Sequence, residues 1–278
     1  MTMNSPKPPL SAQDYRSDYK PIWCPGCGDY SVVTAVTKAF AQLELPRERT
    51  VLVSGIGCSS RLPAYASTYG FHGVHGRALA LATGVKVARP ELTVVVAGGD
   101  GDAFSIGGNH FIHACRRNLD LTYVVMDNQV YGMTKGQASP TTLPDWCDSA
   151  LTPHGTGVNP FHPLVIGLAA GATFVARGFS GDQNFVARLI AEGIQHRGFS
   201  LIQILSPCVT FRAEQKDWKE VVRKAPERAS SAAQAARWLM SDDGFNTGVL
   251  FQEQRPVFEP RRDGQSSLSD FEKEFVAN

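Results

Sequence analysis

The run Val94-Val95-Val96-Ala97 has no polar alternate and passes straight into Gly98-Gly99-Asp100-Gly101-Asp102. A strand without a polar face must be covered on both sides, which is the situation of an inner strand in a parallel sheet flanked by helices. Other largely apolar runs at 51–53, 121–126, 173–176 and 201–205 repeat the pattern, and apolar residues at helical spacing fill 29–40, 74–87, 108–117, 163–170 and 182–196. Strands and helices in alternation predict an α/β fold: an open, doubly wound, mostly parallel sheet with helices on both faces. Asp29 is expected to cap the first helix and His75 to open the one over 74–87. Residues 1–20, polar and proline-containing, read as an extended N-terminal arm, and 21–215 as the α/β domain. From 216 to 278 the alternation stops and charge rises, which predicts a helical or irregular C-terminal extension.

With 27 basic and 26 acidic residues among 278, the chain has no need of a polyanionic partner, which argues against nucleic acid. No apolar run approaches eighteen residues, and residues 1–9 lack the apolar core of a signal peptide, so neither a membrane span nor export is expected. In the cytoplasm that this implies, thiols stay reduced, and a Cys-x-x-Cys is a metal or redox site before it is a disulfide. Cys24 and Cys27 form that motif, while Cys58 and Cys208 stand alone in surroundings rich in glycine and proline. Four thiolates suit an iron–sulfur cluster or a zinc ion, and spacing alone does not choose between them. Cys115 and Cys147 read as structural or incidental.

In an open α/β sheet, ligands bind beyond the carboxyl ends of the strands. Asp100 follows one such strand and Asn128 the next, 28 positions later. Their side-chain oxygens, with the main-chain carbonyl of Val130 as a third, suit Mg²⁺, whose octahedral shell is commonly completed by phosphate oxygens and water. A diphosphate cofactor fits. A nicotinamide fingerprint does not: in the two available GxGxxG frames, Phe104 and Ser60 occupy the place of the third glycine.

Gly99-Asp100-Gly101 followed by Asn128 resembles the signature of thiamine-diphosphate enzymes. Adding Trp23-Cys24-Pro25-Gly26-Cys27-Gly28, Gly55-Ile56-Gly57-Cys58-Ser59, His75-Gly76-Arg77 and Tyr131-Gly132-Met133-Thr134-Lys135-Gly136-Gln137, the stretch from about 20 to 212 resembles the β subunit of a 2-oxoacid:ferredoxin oxidoreductase. The resemblance implies coenzyme A-dependent oxidative decarboxylation of a 2-oxoacid, with 2-oxoglutarate favoured over pyruvate, and the reverse carboxylation at the same site. It implies thiamine diphosphate and Mg²⁺, the metal on Asp100, Asn128 and the Val130 carbonyl. The cofactor pocket would comprise Ile56, Gly57, Cys58, Ser59, His75, Gly99, Asp100, Gly101, Asp102, Asn128, Val130, Tyr131, Gly132, Met133 and Thr134. It implies further that Cys24, Cys27, Cys58 and Cys208 hold one [4Fe–4S] cluster that drains electrons from thiamine to ferredoxin. A non-redox thiamine-dependent decarboxylase or ligase with a structural zinc is the alternative from a different class.

Three residues are candidates for substrate or cofactor contact. A guanidinium at Arg61, three residues past Cys58, would grip the second carboxylate of a dicarboxylic 2-oxoacid bidentately. Lys135 follows the Mg²⁺ loop, and His75 belongs to the His-Gly-Arg segment. For Arg61 and Lys135 the competing reading is a solvated charge or an intersubunit ion pair, and for His75 a hydrogen-bonded structural histidine. His72, His110 and His113 are weaker candidates. Thiamine activation also needs a carboxylate at the pyrimidine end, and only one α/β domain is legible. The resemblance therefore implies an α subunit carrying that domain, in an αβ or (αβ)₂ assembly.

Overall fold

The computed structural model describes residues 9–259. Residues 1–8 of the expected N-terminal arm and 260–278 of the extension lie outside them. The first helix, α1 (Asp29–Gln42), leads to strand β1 (Thr50–Ser54), then β2 (Tyr69–His72), α2 (Ala78–Ala88), β3 (Thr93–Gly99), α3 (Gly108–Arg117) and β4 (Leu121–Asp127). After a long loop come α4 (Pro163–Ala170), β5 (Phe174–Phe179), α5 (Gln183–Gln195) and β6 (Phe199–Leu205). The last elements among the described residues are α6 (Trp218–Val221), β7 (Arg223–Lys224), α7 (Ala232–Met240) and β8 (Asn246–Gln252).

The eight strands form one sheet in the order β2-β1-β3-β4-β6-β5-β8-β7. All pairings are parallel except β5 with β8. Every residue of β1, β4 and β6 is buried, as expected of strands covered on both faces. Because strand side chains alternate, successive residues feed opposite cores. Val51, Val53, Val94, Val96, Tyr123 and Val125 point to the face covered by α2, α3, α4 and α7, where Leu79, Phe111, Leu164 and Leu239 meet them. Leu52, Val95, Ala97, Val124 and Met126 point to the face covered by α1 and α5, against Val32, Val36, Leu189 and Ile190. Each fully buried Val or Leu contributes about 1.5–3 kcal/mol, so the apolar runs drive this layering.

Two sequence expectations are corrected at helix starts. Gly28, not Asp29, occupies the N-cap of α1, with no side-chain cap. The buried Asp29 carboxylate instead accepts a hydrogen bond from Ser206 Oγ at 2.7 Å. The helix after His75 begins only at Ala78, because Gly76 adopts φ +69°, outside the helical range.

The extension expected from residue 216 contributes strands β7 and β8 to the same sheet. β8 pairs antiparallel with β5, with a register shift between Val175 and Ala176. Buried Arg177 on β5 secures it, donating to Gln203 Oε1 at 2.9 Å, to the Asn246 carbonyl at 3.2 Å and to Asp242. Strand β2 is not legible in the sequence, being four exposed residues long with no apolar run.

Candidate active site

Chain order reverses between β1 and β3: β2 lies on one side of β1, and β3 and β4 on the other. Such a switch point opens a crevice at the carboxyl ends of the strands. There the loops after β1, β3 and β4 line a cleft of about 190 Å³. Its lining includes all fifteen residues assigned to the cofactor pocket: Ile56, Gly57, Cys58, Ser59, His75, Gly99, Asp100, Gly101, Asp102, Asn128, Val130, Tyr131, Gly132, Met133 and Thr134. Asp29 and Met126 complete it.

The backbone permits this convergence at specific points. Gly57 sits at φ +118° with open space where a β-carbon would stand, and a side chain there would be strained and would protrude into the cleft. Gly101 lies so close to the Tyr131 ring that a β-carbon would come within 2.2 Å of Cε1. Between β3 and α3 the chain makes a wide π-type turn, Asp102–Ile106, a departure from regular helix often found at functional sites.

Asp102 organises one wall. Its buried Oδ1 accepts from the backbone N–H of Ile56 at 2.9 Å and of Gly76 at 2.7 Å, and lies 2.8 Å from His75 Nδ1. With a carboxylate on Nδ1, that nitrogen carries a proton, donated to Asp102. The His75 side chain, 40% exposed, packs edge-on to Tyr131.

Asp100 is the centre of a second network. Thr141 Oγ1 lies 2.9 Å from Asp100 Oδ2 and 2.8 Å from Asp127 Oδ1, and Gln203 Nε2 donates to Asp127 Oδ2 at 2.6 Å. Burial, with the Asp127 carboxyl alongside, pushes Asp100 up to about 7. Burial raises Asp127 as well. Asn128 Oδ1 accepts from the Val130 N–H at 3.1 Å, folding the loop into an Asx turn. The Thr134 hydroxyl donates to Gln137.

The sulfur atoms gather beside the cleft. A β-carbon at Gly132 would stand 3.5 Å from the Cys58 sulfur and 3.8 Å from that of Cys208. Backbone and side-chain bonds interlock the three cysteine segments: Gly28 N–H to the Pro207 carbonyl at 3.0 Å, Cys27 N–H to Cys24 carbonyl at 3.1 Å, and Trp23 Nε1 to the Cys58 carbonyl at 2.8 Å. Burial pushes the Cys58 thiol up to about 11 and raises those of Cys27 and Cys208, with Asp29 and the neighbouring thiols adding to the effect. Among the described residues, no three His, Cys, Asp or Glu side chains are grouped as ligands of a single metal ion. Cys115 is buried in α3 and Cys147 is exposed in the loop after β4, and neither lines the cleft.

Arg61 and Lys135 do not line the cleft. Arg61 is in the 3₁₀ turn Ser59–Tyr65 after Cys58, near enough for its charge to act on that sulfur. Lys135 is exposed, in a left-handed conformation at φ +73°. His72 bonds instead to the Ser60 carbonyl at 2.7 Å, and His110 and His113 belong to α3. Sequence reasoning missed Thr141, Gln203, Arg212 and Gln215, whose contribution depends on contacts between distant loops; Asp29 was read only as a cap.

Residues 55–204 match the family model for the C-terminal TPP-binding domain of thiamine pyrophosphate enzymes. The chain is 48% identical over 203 residues to 2-oxoglutarate oxidoreductase subunit KorB of Mycobacterium tuberculosis, covering 73% of this chain and 54% of that relative. It therefore spans about half the length of that protein. It is 38% identical over 265 residues to the β subunit of 2-oxoacid:ferredoxin oxidoreductase 2 of Aeropyrum pernix, covering 89% of this chain and 85% of the relative. A solved 2-oxoglutarate:ferredoxin oxidoreductase from Magnetococcus marinus, with 2-oxoglutarate, coenzyme A and succinyl-CoA bound, superposes with a TM-score of 0.86 at 42% identity, covering 90% of this chain and 87% of that one. With the fold, the cleft at the switch point and these likenesses in agreement, the chain belongs to the β subunits of the 2-oxoacid:ferredoxin oxidoreductases.

Proposed function

We propose that this chain is the β subunit of a 2-oxoglutarate:ferredoxin oxidoreductase, which converts 2-oxoglutarate and coenzyme A to succinyl-CoA and CO₂, passes the electrons to ferredoxin, and also runs in the carboxylating direction. The observation that carries the reading is the shared wall at Gly132. The cleft that would receive a diphosphate cofactor has the Cys58 and Cys208 sulfurs against one of its own loops, as a redox thiamine enzyme requires and a non-redox one does not.

The residues present fit the implied groups. A buried carboxyl as strained by its surroundings as Asp100 is relieved by a divalent cation, which inverts the local electrostatics. Asp100, Asn128 and the Val130 carbonyl would hold Mg²⁺, an all-oxygen donor set suited to that ion. Cys24, Cys27, Cys58 and Cys208 would hold a [4Fe–4S] cluster. When bound, thiamine diphosphate supplies a nucleophilic carbon and an electron sink, and the cluster accepts electrons singly.

The chain's own residues bind and orient. The loops at Ile56–Ser59 and Gly99–Asp102 present backbone to the diphosphate. Asp102 holds the Nδ1 proton of His75, and Nε2 of the neutral imidazole is an acceptor able to take a proton from substrate or cofactor. Neither Arg61 nor Lys135 lines the cleft itself, but Arg61, close enough to act on the Cys58 sulfur at its edge, is the cation we assign to the distal carboxylate of the substrate, with Lys135 as the second basic candidate. The relatives named for 2-oxoglutarate support this choice over pyruvate. An α subunit would supply the pyrimidine end of the thiamine site, in an (αβ)₂ assembly working in the cytoplasm. Among the described residues no helix is long and apolar enough to cross a membrane.

The test is anaerobic purification with the partner subunit, followed by iron, acid-labile sulfide, zinc and thiamine determination and by EPR after adding 2-oxoglutarate and coenzyme A. Thiamine, iron and sulfide with a substrate-induced reduced-cluster signal are expected. Zinc in place of iron, or a cluster silent to substrate, overturns the redox reading.

A further inference from the structure

Beyond the last rung of the β4–β6 ladder, the Ser206 N–H to Asp127 carbonyl bond at 3.0 Å, the two strands part. One leads to Asn128 and the magnesium loop, the other to Cys208. Gln215, in the 3₁₀ turn Ala213–Asp217 and fully buried, fills the gap. Its Oε1 accepts from the Cys208 N–H at 2.8 Å, and its Nε2 donates to the Asn128 carbonyl at 2.7 Å. The side-chain amide thus stands where a further ladder bond would have been. Arg212, also buried, runs beside it, donating to the Gln129 carbonyl at 2.9 Å with its guanidinium 4.7 Å from the centre of the Trp146 ring.

A planar amide bonded at both ends in a dry site cannot follow one partner without moving the other, and breaking either bond leaves an unsatisfied buried group. We propose that Gln215 is a positioning residue that couples the two cofactor loops, so that filling the Mg²⁺–diphosphate site alters the surroundings of the cluster and reduction of the cluster alters diphosphate affinity. The inference rests on the functional reading above. Coupling of this kind is reciprocal between binding equilibria.

One bond, then both, can be removed. Gln215→Glu keeps the acceptor for Cys208 and loses the donor to Asn128; Gln215→Met keeps the length and loses both. The probes are Mg²⁺–thiamine diphosphate affinity by titration calorimetry, and the EPR signal and reduction midpoint of the dithionite-reduced cluster with and without Mg²⁺–thiamine diphosphate, on the full-length protein with its partner subunit. In the unaltered protein, cofactor addition is expected to shift the cluster signal and midpoint. In both variants that shift should disappear, with affinity down about tenfold in Gln215→Glu, the cost of one buried hydrogen bond, and by at least as much in Gln215→Met. Cluster content should stay unchanged in Gln215→Glu. If Gln215→Glu does not fold, Gln215→Met alone decides. A variant that is merely less heat-stable, with the cofactor-induced shift intact, overturns the positioning role. An unaltered protein with cluster and thiamine but no shift overturns the coupling alone, whereas one that binds neither overturns the functional reading and the coupling with it.

Discussion

His75 Nδ1 lies 2.8 Å from Asp102 Oδ1, although 27 positions separate the two residues. The same oxygen accepts from the backbone of Ile56 and Gly76, so a single carboxylate ties two other segments of the cleft to its own and orients the one histidine in its lining. His75→Ala should lower kcat by about 10²-fold or more, the usual contribution of a positioned acid or base, while thiamine diphosphate affinity changes little. Asp102→Ala should lose both, since it also frees two loops. Steady-state kinetics beside a cofactor titration separates these outcomes; equal loss of affinity in the two variants would count against a proton role for His75.

Asp100→Ala should abolish Mg²⁺-dependent binding of thiamine diphosphate, with affinity reduced about 100-fold or more, the upper range for loss of a metal-site residue. Titration calorimetry with and without Mg²⁺ measures this. Persistence of Mg²⁺-dependent binding would place the metal elsewhere.

The cofactor-free fold should lose stability as pH rises. Asp100 is raised from its ordinary 3.8 to about 7, so it is stabilised while protonated. Its contribution is fully present below pH 3.8 and is lost as pH climbs through 7. Asp127, shifted in the same direction by burial, adds to this with the same sign. The melting temperature should fall by roughly 5 °C or more between pH 5 and 8. Asp100→Asn should flatten the dependence, and Mg²⁺ with thiamine diphosphate should offset it. Differential scanning fluorimetry across that range is sufficient, and a midpoint that rises with pH in the absence of cofactor would contradict the assignment.

Cys58→Ala and Cys208→Ala should each lose most of their iron and acid-labile sulfide, whereas Cys115→Ala and Cys147→Ala should keep both. Burial holds the Cys58 and Cys208 thiols protonated at neutral pH, so cluster assembly must release protons and should proceed faster at pH 8.5 than at pH 7. Reconstitution followed by visible absorbance gives both results.

Arg61→Ala should reduce the ratio of kcat/KM for 2-oxoglutarate over pyruvate by about tenfold or more, the loss of a charge-assisted bond to a carboxylate. An unchanged ratio would leave Arg61 as an electrostatic neighbour of Cys58 only.

Much of this protein was determined locally. The apolar runs of β1, β3, β4 and β6 have no polar face, so burial on both sides and a parallel sheet followed from the sequence alone, and with them the loops where a ligand would sit. The spacing of Asp100 and Asn128 placed two oxygen donors on neighbouring strand ends. Tertiary structure decided what depends on contact between distant segments. Asp29 leaves its expected cap for Ser206; β8 crosses back to β5 on the strength of buried Arg177. Arg61 and Lys135, close in sequence to the cleft residues Ser59 and Thr134, stand outside its lining. Above all, sequence could name Cys58 and Cys208 but not their distance from the cleft. Only the packing of the loops after β1, β4 and β6 brings both sulfurs against Gly132, since separation along a chain carries no information about separation across a closed sheet end.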